Sequence, residues 1–267
     1  MNPDGWDTMI SSALGADFPY FAAAGNHDLP VWGNYAAKLK QRWERVGAKC
    51  WGDVGLGNVC SFRGFTFIIS GTGNPGYDPY GTNLINRGFS NYGGLWRVCL
   101  WHKNQHILQL GDKVDEVGWD YYTSCLNNGA IIVNGHEHSY SRSKEITAFN
   151  STAPIYNEHT PIAVGSNSTF VVVSGVAGAD VRICTGGKEN NPWWAKTLCL
   201  PSFTTSGALV CVFNLNGNER EAYCYFKSVN REVLDSFYLV SQNGIDSYLS
   251  RTAPSPSSSS PSPDMSP

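Results

Sequence analysis

Three short polar motifs, each placed directly after an apolar run, constrain the fold of this chain more than any other feature. The motifs are Gly-Asn-His-Asp at 25–28, a single histidine at 102, and Gly-His-Glu-His at 135–138. The apolar runs before them are 18–24, 96–101 and 130–133. In α/β folds, residues just beyond the carboxyl ends of strands meet in one crevice, where ligands bind. The pattern therefore predicts a sheet with polar side chains gathered at one edge.

The side chains in these motifs have the chemistry of metal ligands. Neutral imidazole and amide oxygen suit zinc, iron and manganese. A lone histidine after a strand usually has a structural role. Here three such loops occur in one chain, and two carry glycines that let the backbone turn sharply. We therefore interpret the histidines and the asparagine as a candidate metal site.

The periodicity of the chain predicts a mixed α/β (α+β) fold. Helical spacing predicts helices over 3–16, 35–46 and 117–126. Short apolar runs predict strands over 18–24, 65–69, 96–101, 130–133, 170–174, 208–214, 221–226 and 237–240. The segment 71–94, rich in Gly, Asn, Pro and Tyr, is predicted to be a long loop, a kind of segment that is often functional.

Composition excludes several classes of protein. Of the 267 residues, 42% are hydrophobic and 15% are charged, against a usual charged fraction of roughly 25%. This balance excludes a disordered chain, a coiled coil and a charge-rich helical bundle. The net charge of −3 gives no broad attraction to nucleic acid, so no nucleic-acid partner is expected. No apolar run approaches the roughly 18–20 residues of a membrane span, so no transmembrane segment is expected.

The cysteines and sequons point to the secretory pathway. The eight cysteines include close neighbours such as Cys50 with Cys60 and Cys184 with Cys199, and none forms a Cys-x-x-Cys pair. Sequons at 150–152 and 167–169 are candidate N-glycosylation sites. We expect a secreted or cell-surface, disulfide-bonded glycoprotein. The alternative is an intracellular protein with reduced core cysteines and chance sequons. Spacing leaves the disulfide connectivity open.

The chain divides into one domain and a tail. A globular domain is predicted over 1–250. The segment 251–267 is rich in proline and serine and is predicted to be disordered, because such a sequence cannot bury apolar surface.

In this order and spacing, the three motifs resemble those of the calcineurin-like metallophosphoesterase family. That family is recognised by D-x-H, G-D-x-x-D, G-N-H-D/E, a lone His and G-H-x-H, in that sequence. The resemblance covers roughly residues 3–245 and is strongest to secreted fungal and algal-type members. It implies a four-layer αββα sandwich and hydrolysis of a small-molecule phosphoester by two divalent metal ions, iron, zinc or manganese.

The resemblance also assigns roles to residues. It implies that the metal ligands are Asn26, His102, His136 and His138, of which the last serves the second ion. By the same resemblance, His27 protonates the leaving oxygen and Asp28 holds that imidazole in the useful tautomer. Two ions about 3.5–4 Å apart would clamp the phosphoryl group and activate a water molecule.

Two of the family's motifs have no counterpart in their expected place. Nothing before residue 25 contains D-x-H or G-D-x-x-D, and the Gly-Asp-Lys-Val-Asp segment at 111–115 comes too late in the order. We interpret 111–115 as a surface loop. The expectation is an N-terminally truncated sequence that lacks the signal peptide and the first strand–helix–strand unit. The isolated chain is then expected to have little or no activity. The alternative function is a non-catalytic cell-surface binding module that retains the fold; substrate, metal identity and oligomeric state stay open.

Overall fold

The computed structural model describes residues 2–150 and 152–244. The predicted tail, 251–267, lies outside the described residues. Within them the helices are α1 (Pro3–Leu14), α2 (Trp32–Val46), α3 (Thr82–Tyr92) and α4 (Trp119–Asn127). The strands are β1 (Lys49–Asp53), β2 (Gly57–Phe62), β3 (Phe65–Ser70), β4 (Trp96–Leu100), β5 (Ala130–Asn134), β6 (Tyr140–Ser143), β7 (Glu145–Ala148), β8 (Ile155–Asn157), β9 (Ile162–Val164), β10 (Val171–Ser174), β11 (Trp194–Leu198), β12 (Gly207–Leu215), β13 (Asn218–Ser228) and β14 (Val233–Ser241).

Two sheets organise these strands. The larger has eight strands in the order β1-β2-β3-β4-β5-β10-β6-β11, and its central strands β3, β4, β5 and β10 run parallel. The smaller has the order β12-β13-β14-β9, and β7 pairs with β8 as a separate ribbon. The mixed α/β sandwich class predicted from the sequence is confirmed.

The two faces of the large sheet pack against different layers. Helices α3 and α4 cover one face, where Ile68, Cys99 and Ile132 enter the core. The small sheet covers the other face from β4 to β6, with Val172 among the residues at this junction. Alternation of side chains along each strand makes both faces apolar, as expected for a buried, largely parallel sheet.

Helix α2 packs on the large sheet next to the small sheet and does not cover the outer face of the small sheet. Helix α2 packs Leu39 and Trp43 against the β2–β3 end of the large sheet. The outer face of the small sheet leaves Val212 and Tyr238 about half exposed. Within residues 2–150 and 152–244, no helix forms a fourth layer over that face.

Two local predictions are wrong. The run 18–24 is extended but pairs with no strand of the described chain; Phe21 instead stacks on Phe67, with ring centroids 4.5 Å apart. Ala24 is buried there, whereas Phe18 is 42% exposed, so the run covers the sheet only in part. The predicted loop 71–94 contains α3, whose buried stripe of Ile85, Gly88 and Phe89 is masked in the sequence by glycine and asparagine.

Four disulfides use all eight cysteines: Cys50–Cys60, Cys99–Cys125, Cys184–Cys199 and Cys211–Cys224. The first and last join directly opposed residues of neighbouring strands. The second joins β4 to α4. The disulfide-bonded state is therefore confirmed. None of the helices in the described ranges combines the length and apolar content needed to cross a membrane.

Candidate metal centre

The carboxyl ends of β4 and β5 bring two of the predicted ligands together. The strands are parallel neighbours, with Leu100 opposite Val133. The loops that follow them carry His102 and His136. The amide N–H of Gly135 donates to the carbonyl of His102 at 3.1 Å, which ties one loop to the other.

Three predicted ligand atoms converge at this edge. Asn26 Oδ1 lies 2.9 Å from His102 Nε2. His136 Nδ1 lies 3.1 Å from the same nitrogen. The extended segment that ends at Ala24 delivers the asparagine. The ligand set that the family resemblance assigns to one ion is therefore gathered in one place.

Backbone geometry explains the glycine before the asparagine. A Cβ at Gly25 would lie 2.8 Å from Asp28 Oδ2 and 3.1 Å from His102 Cε1, closer than real Cβ contacts allow. His136 has a φ of +64°, a left-handed conformation that non-glycine residues seldom adopt. Strain of this kind clusters at functional sites.

Both imidazoles are half-buried, and their surroundings favour the neutral form near pH 7. Burial lowers the pKa of His102 to about 3, helped by the neighbouring His136 and Lys113. Burial likewise lowers the pKa of His136 to about 3, helped by Lys113 and Lys103. A neutral imidazole keeps a nitrogen lone pair, which is the form that ligates metals.

A carboxylate that we did not predict from the sequence borders this cluster. Glu116 Oε2 lies 2.9 Å from His136 Nε2, and Glu116 Oε1 is paired with Lys103 Nζ at 2.6 Å. Oε2 is buried and faces the His136 imidazole. The sequence signal for Glu116 is its place in the acidic segment 112–116, which lies before α4 and before the Gly-His-Glu-His motif.

The segment 111–115 packs against the metal centre, so its interpretation as a surface loop is wrong for two of its residues. Gly111 is buried, and a Cβ there would lie 2.4 Å from Glu137 Oε2. Lys113 Nζ donates to the carbonyl of His136 and lies 3.5 Å from Glu137 Oε2. Glu137 is 1% exposed and needs this nearby positive charge.

The other predicted site residues make no hydrogen bond to these three donors within the described ranges. The His27 ring is exposed and makes no hydrogen bond within the described residues. Asp28 Oδ2 accepts from the Gly25 N–H at 3.2 Å rather than from His27. His138 Nδ1 contacts the carbonyl of Asp180 at 3.1 Å, and partial burial lowers its pKa.

The donors fit one divalent cation and not two. Two neutral imidazoles and an amide oxygen converge beside the Glu116 carboxylate, which pairs with His136 Nε2, and these donor types suit zinc, manganese or iron. The second predicted site has only His138 to offer. Among the described residues, no group of three or more His, Cys, Asp and Glu side chains has the geometry of a metal site. His102, His136 and Glu116 are neighbours but do not have that geometry by themselves, so the candidate set depends on Asn26.

Comparison with known proteins gives little further information. No protein-family model matches the chain, and no curated protein matches it. A solved structure of a protein named PhoD matches with 12% sequence identity and a TM-score of 0.41. The match covers 83% of this chain and 50% of that one, so this chain spans half the length of PhoD. A likeness this distant establishes neither a family nor an activity.

Proposed function

We propose that this chain belongs to a metal-dependent phosphoester hydrolase and that Asn26, His102 and His136 hold one divalent ion. Asn26 Oδ1 and His136 Nδ1 lie 2.9 and 3.1 Å from His102 Nε2, and this convergence supports the proposal. The ordered motifs of the sequence support it independently. The substrate class is a small-molecule phosphoester.

Each residue has a distinct task in this proposal. The bound ion would supply Lewis-acid polarisation of a phosphoryl oxygen and a lowered pKa for water. Asn26 and the two imidazoles would hold the ion at the sheet edge. Lys113 positions the loop of His136 by donating a hydrogen bond to the His136 carbonyl. His27 donates the proton to the leaving oxygen once Asp28 turns from Gly25 toward it. His138 would be the one ligand available to a second ion, iron, zinc or manganese, so the described residues hold a single ion.

The test measures metal binding and turnover separately. Titration of the apo protein with Mn²⁺ or Zn²⁺ by calorimetry is expected to give one ion per chain. Turnover of p-nitrophenyl phosphate is expected to be slow, because one ion generates the attacking hydroxide poorly. It should depend on added metal and vanish in His102→Ala. Absence of metal binding, or turnover that survives His102→Ala, would overturn the proposal.

One alternative function has an observation in its favour. Asp28 bonds to the Gly25 N–H rather than to His27, and His138 bonds to the Asp180 carbonyl rather than to the three converging donors, as expected for a non-catalytic cell-surface binding module that retains the fold. The same two measurements distinguish the functions. Stoichiometric metal binding without any metal-dependent turnover would favour the binding module.

We further propose that the protein is secreted or displayed at the cell surface and carries N-glycans at Asn150 and Asn167. The four disulfides support an oxidising compartment. Both asparagines are exposed. Treatment of protein from its native source with an N-glycosidase should lower its mass. An unchanged mass together with eight free thiols would contradict this localisation.

A further inference from the structure

A cleft separate from the metal centre lies between α3 and the β1–β2 hairpin. Its cavity volume is about 390 Å³. None of its lining residues belongs to the metal centre. One wall is formed by aromatic rings. The other is a polar face of α3.

The aromatic wall is built from Trp51, Tyr92 and Tyr80. Trp51 stacks on Tyr92 with ring centroids 4.4 Å apart and an angle of 15° between the rings. Trp51 and Tyr80 are each 44% exposed, although large rings are usually buried. Tyr80 is held by its hydroxyl, which donates to Asp53 Oδ2 at 3.2 Å. The rings are therefore ordered and partly open to solvent.

Glycine at the base lets one ring lie flat against the hairpin. A Cβ at Gly57 would lie 2.5 Å from the Tyr80 ring, so any larger residue would push that ring away. The close approach of ring and backbone keeps the cleft open beside α3.

The polar wall is one face of α3. Asn83, Arg87 and Asn91 are spaced four residues apart and so lie in one row along the helix. All three are exposed, and their side chains make no hydrogen bond or ion pair within the described residues. Arg87 is the one charged residue that lines the described cleft.

We propose that this cleft binds an acidic oligosaccharide, of the uronic-acid class. Aromatic rings pack against the apolar C–H face of a sugar ring while its hydroxyls stay hydrated. The two asparagine amides offer both donors and acceptors to hydroxyl groups. The guanidinium of Arg87 forms a two-pronged contact with a carboxylate. One unpaired cation among amides and aromatic rings pairs with one carboxylate of the oligosaccharide and so selects an acidic sugar over a neutral one.

The test uses tri-galacturonate as the probe and calorimetry at low ionic strength. The expected result is saturable binding of one trimer per chain, weakened at least tenfold in Arg87→Gln and in Trp51→Ala. A neutral galactose trimer should bind at least fivefold more weakly than the acidic one. Binding should be unchanged by a metal chelator, because the cleft shares no residue with the metal centre.

Matched variants separate a specific effect from a structural one. Arg63→Gln removes an exposed arginine at the opposite end of the β2–β3 hairpin and should bind the trimer like the wild type. Arg87 projects from an exposed helix face, so its loss leaves the core intact; thermal unfolding by circular dichroism checks this for each variant. No binding by the wild type at millimolar trimer, equal binding by Arg87→Gln, or equal affinity for the neutral trimer would each overturn the proposal.

Discussion

At the scale of single residues, burial sets the chemistry of the candidate metal centre. His102 and His136 lie beside two lysines and are partly withdrawn from water, and both effects favour the neutral ring. Asn26 supplies an uncharged oxygen to the same place. The result is a candidate ligand set with no formal charge of its own, next to a buried carboxylate oxygen of Glu116 that lies 2.9 Å from His136 Nε2.

The first prediction concerns His136. His136→Ala removes one of three converging donors and should weaken Mn²⁺ or Zn²⁺ binding at least tenfold, since the two remaining protein ligands chelate poorly. The measurement is a calorimetric titration of apo protein. His159→Ala serves as the control because His159 contacts Glu145 and lies outside the centre; it should bind metal like the wild type. Equal affinity in the two variants would exclude His136 as a ligand.

At the scale of elements, one carboxylate joins the β7–β8 ribbon to the small sheet. Glu145 in β7 accepts from the backbone N–H of Ala163 in β9 at 2.8 Å and from Asn157 in β8 at 3.2 Å. Burial acts to raise the pKa of Glu145, but these hydrogen bonds together with His159 outweigh it and hold the pKa below its usual range.

The second prediction follows from that lowered pKa. A carboxylate whose pKa is lower in the folded state than in the unfolded state stabilises the fold above its unfolded pKa, and this stabilisation is lost as the pH falls through the folded pKa. Urea unfolding of the wild type should therefore lose stability below about pH 4.5. Glu145→Gln should be about 1–3 kcal/mol less stable at pH 7. Its stability should change less between pH 5 and pH 3. Parallel pH profiles for the two proteins would contradict this role.

At the scale of the whole molecule, a buried ion pair links the two sheets. Arg142 in β6 of the large sheet contacts Asp235 in β14 of the small sheet through two nitrogens, at 2.7 and 2.9 Å. The Tyr140 hydroxyl donates to the same carboxylate at 2.8 Å. The guanidinium also lies 4.1 Å from the centre of the Phe237 ring.

The third prediction tests this link. Asp235→Ala leaves Arg142 buried without its counter-ion and should cost about 3–5 kcal/mol of unfolding free energy. Denaturant unfolding followed by circular dichroism measures the loss. Glu158→Ala, which removes the exposed partner of Lys144, should leave the unfolding free energy unchanged within error. A similar small effect from both substitutions would show that the sheets are held by apolar packing alone.

Elements with clear periodicity were predictable from the sequence. Helix α2 and strands β3, β4 and β5 agree closely with the predictions, because each combines a regular apolar stripe with a turn signal at its end. Helix α3 was not predicted, because its polar and glycine residues obscure the apolar stripe of Ile85 and Phe89. Strands β1 and β2 were missed because Lys49–Asp53 and Gly57–Phe62 contain few consecutive apolar residues, and their pairing depends on partners elsewhere in the sheet.

The sequence by itself determined the α/β class, the cysteine content and the residue types that carry the candidate chemistry, because strand periodicity and side-chain chemistry are local properties. Only the tertiary structure decided which of those residues meet. It joined Asn26, His102 and His136, directed the hydrogen bond of His138 to the Asp180 carbonyl, and added Glu116 from an unrelated loop. Such contacts join distant parts of the chain, and the order of strands within a sheet decides them.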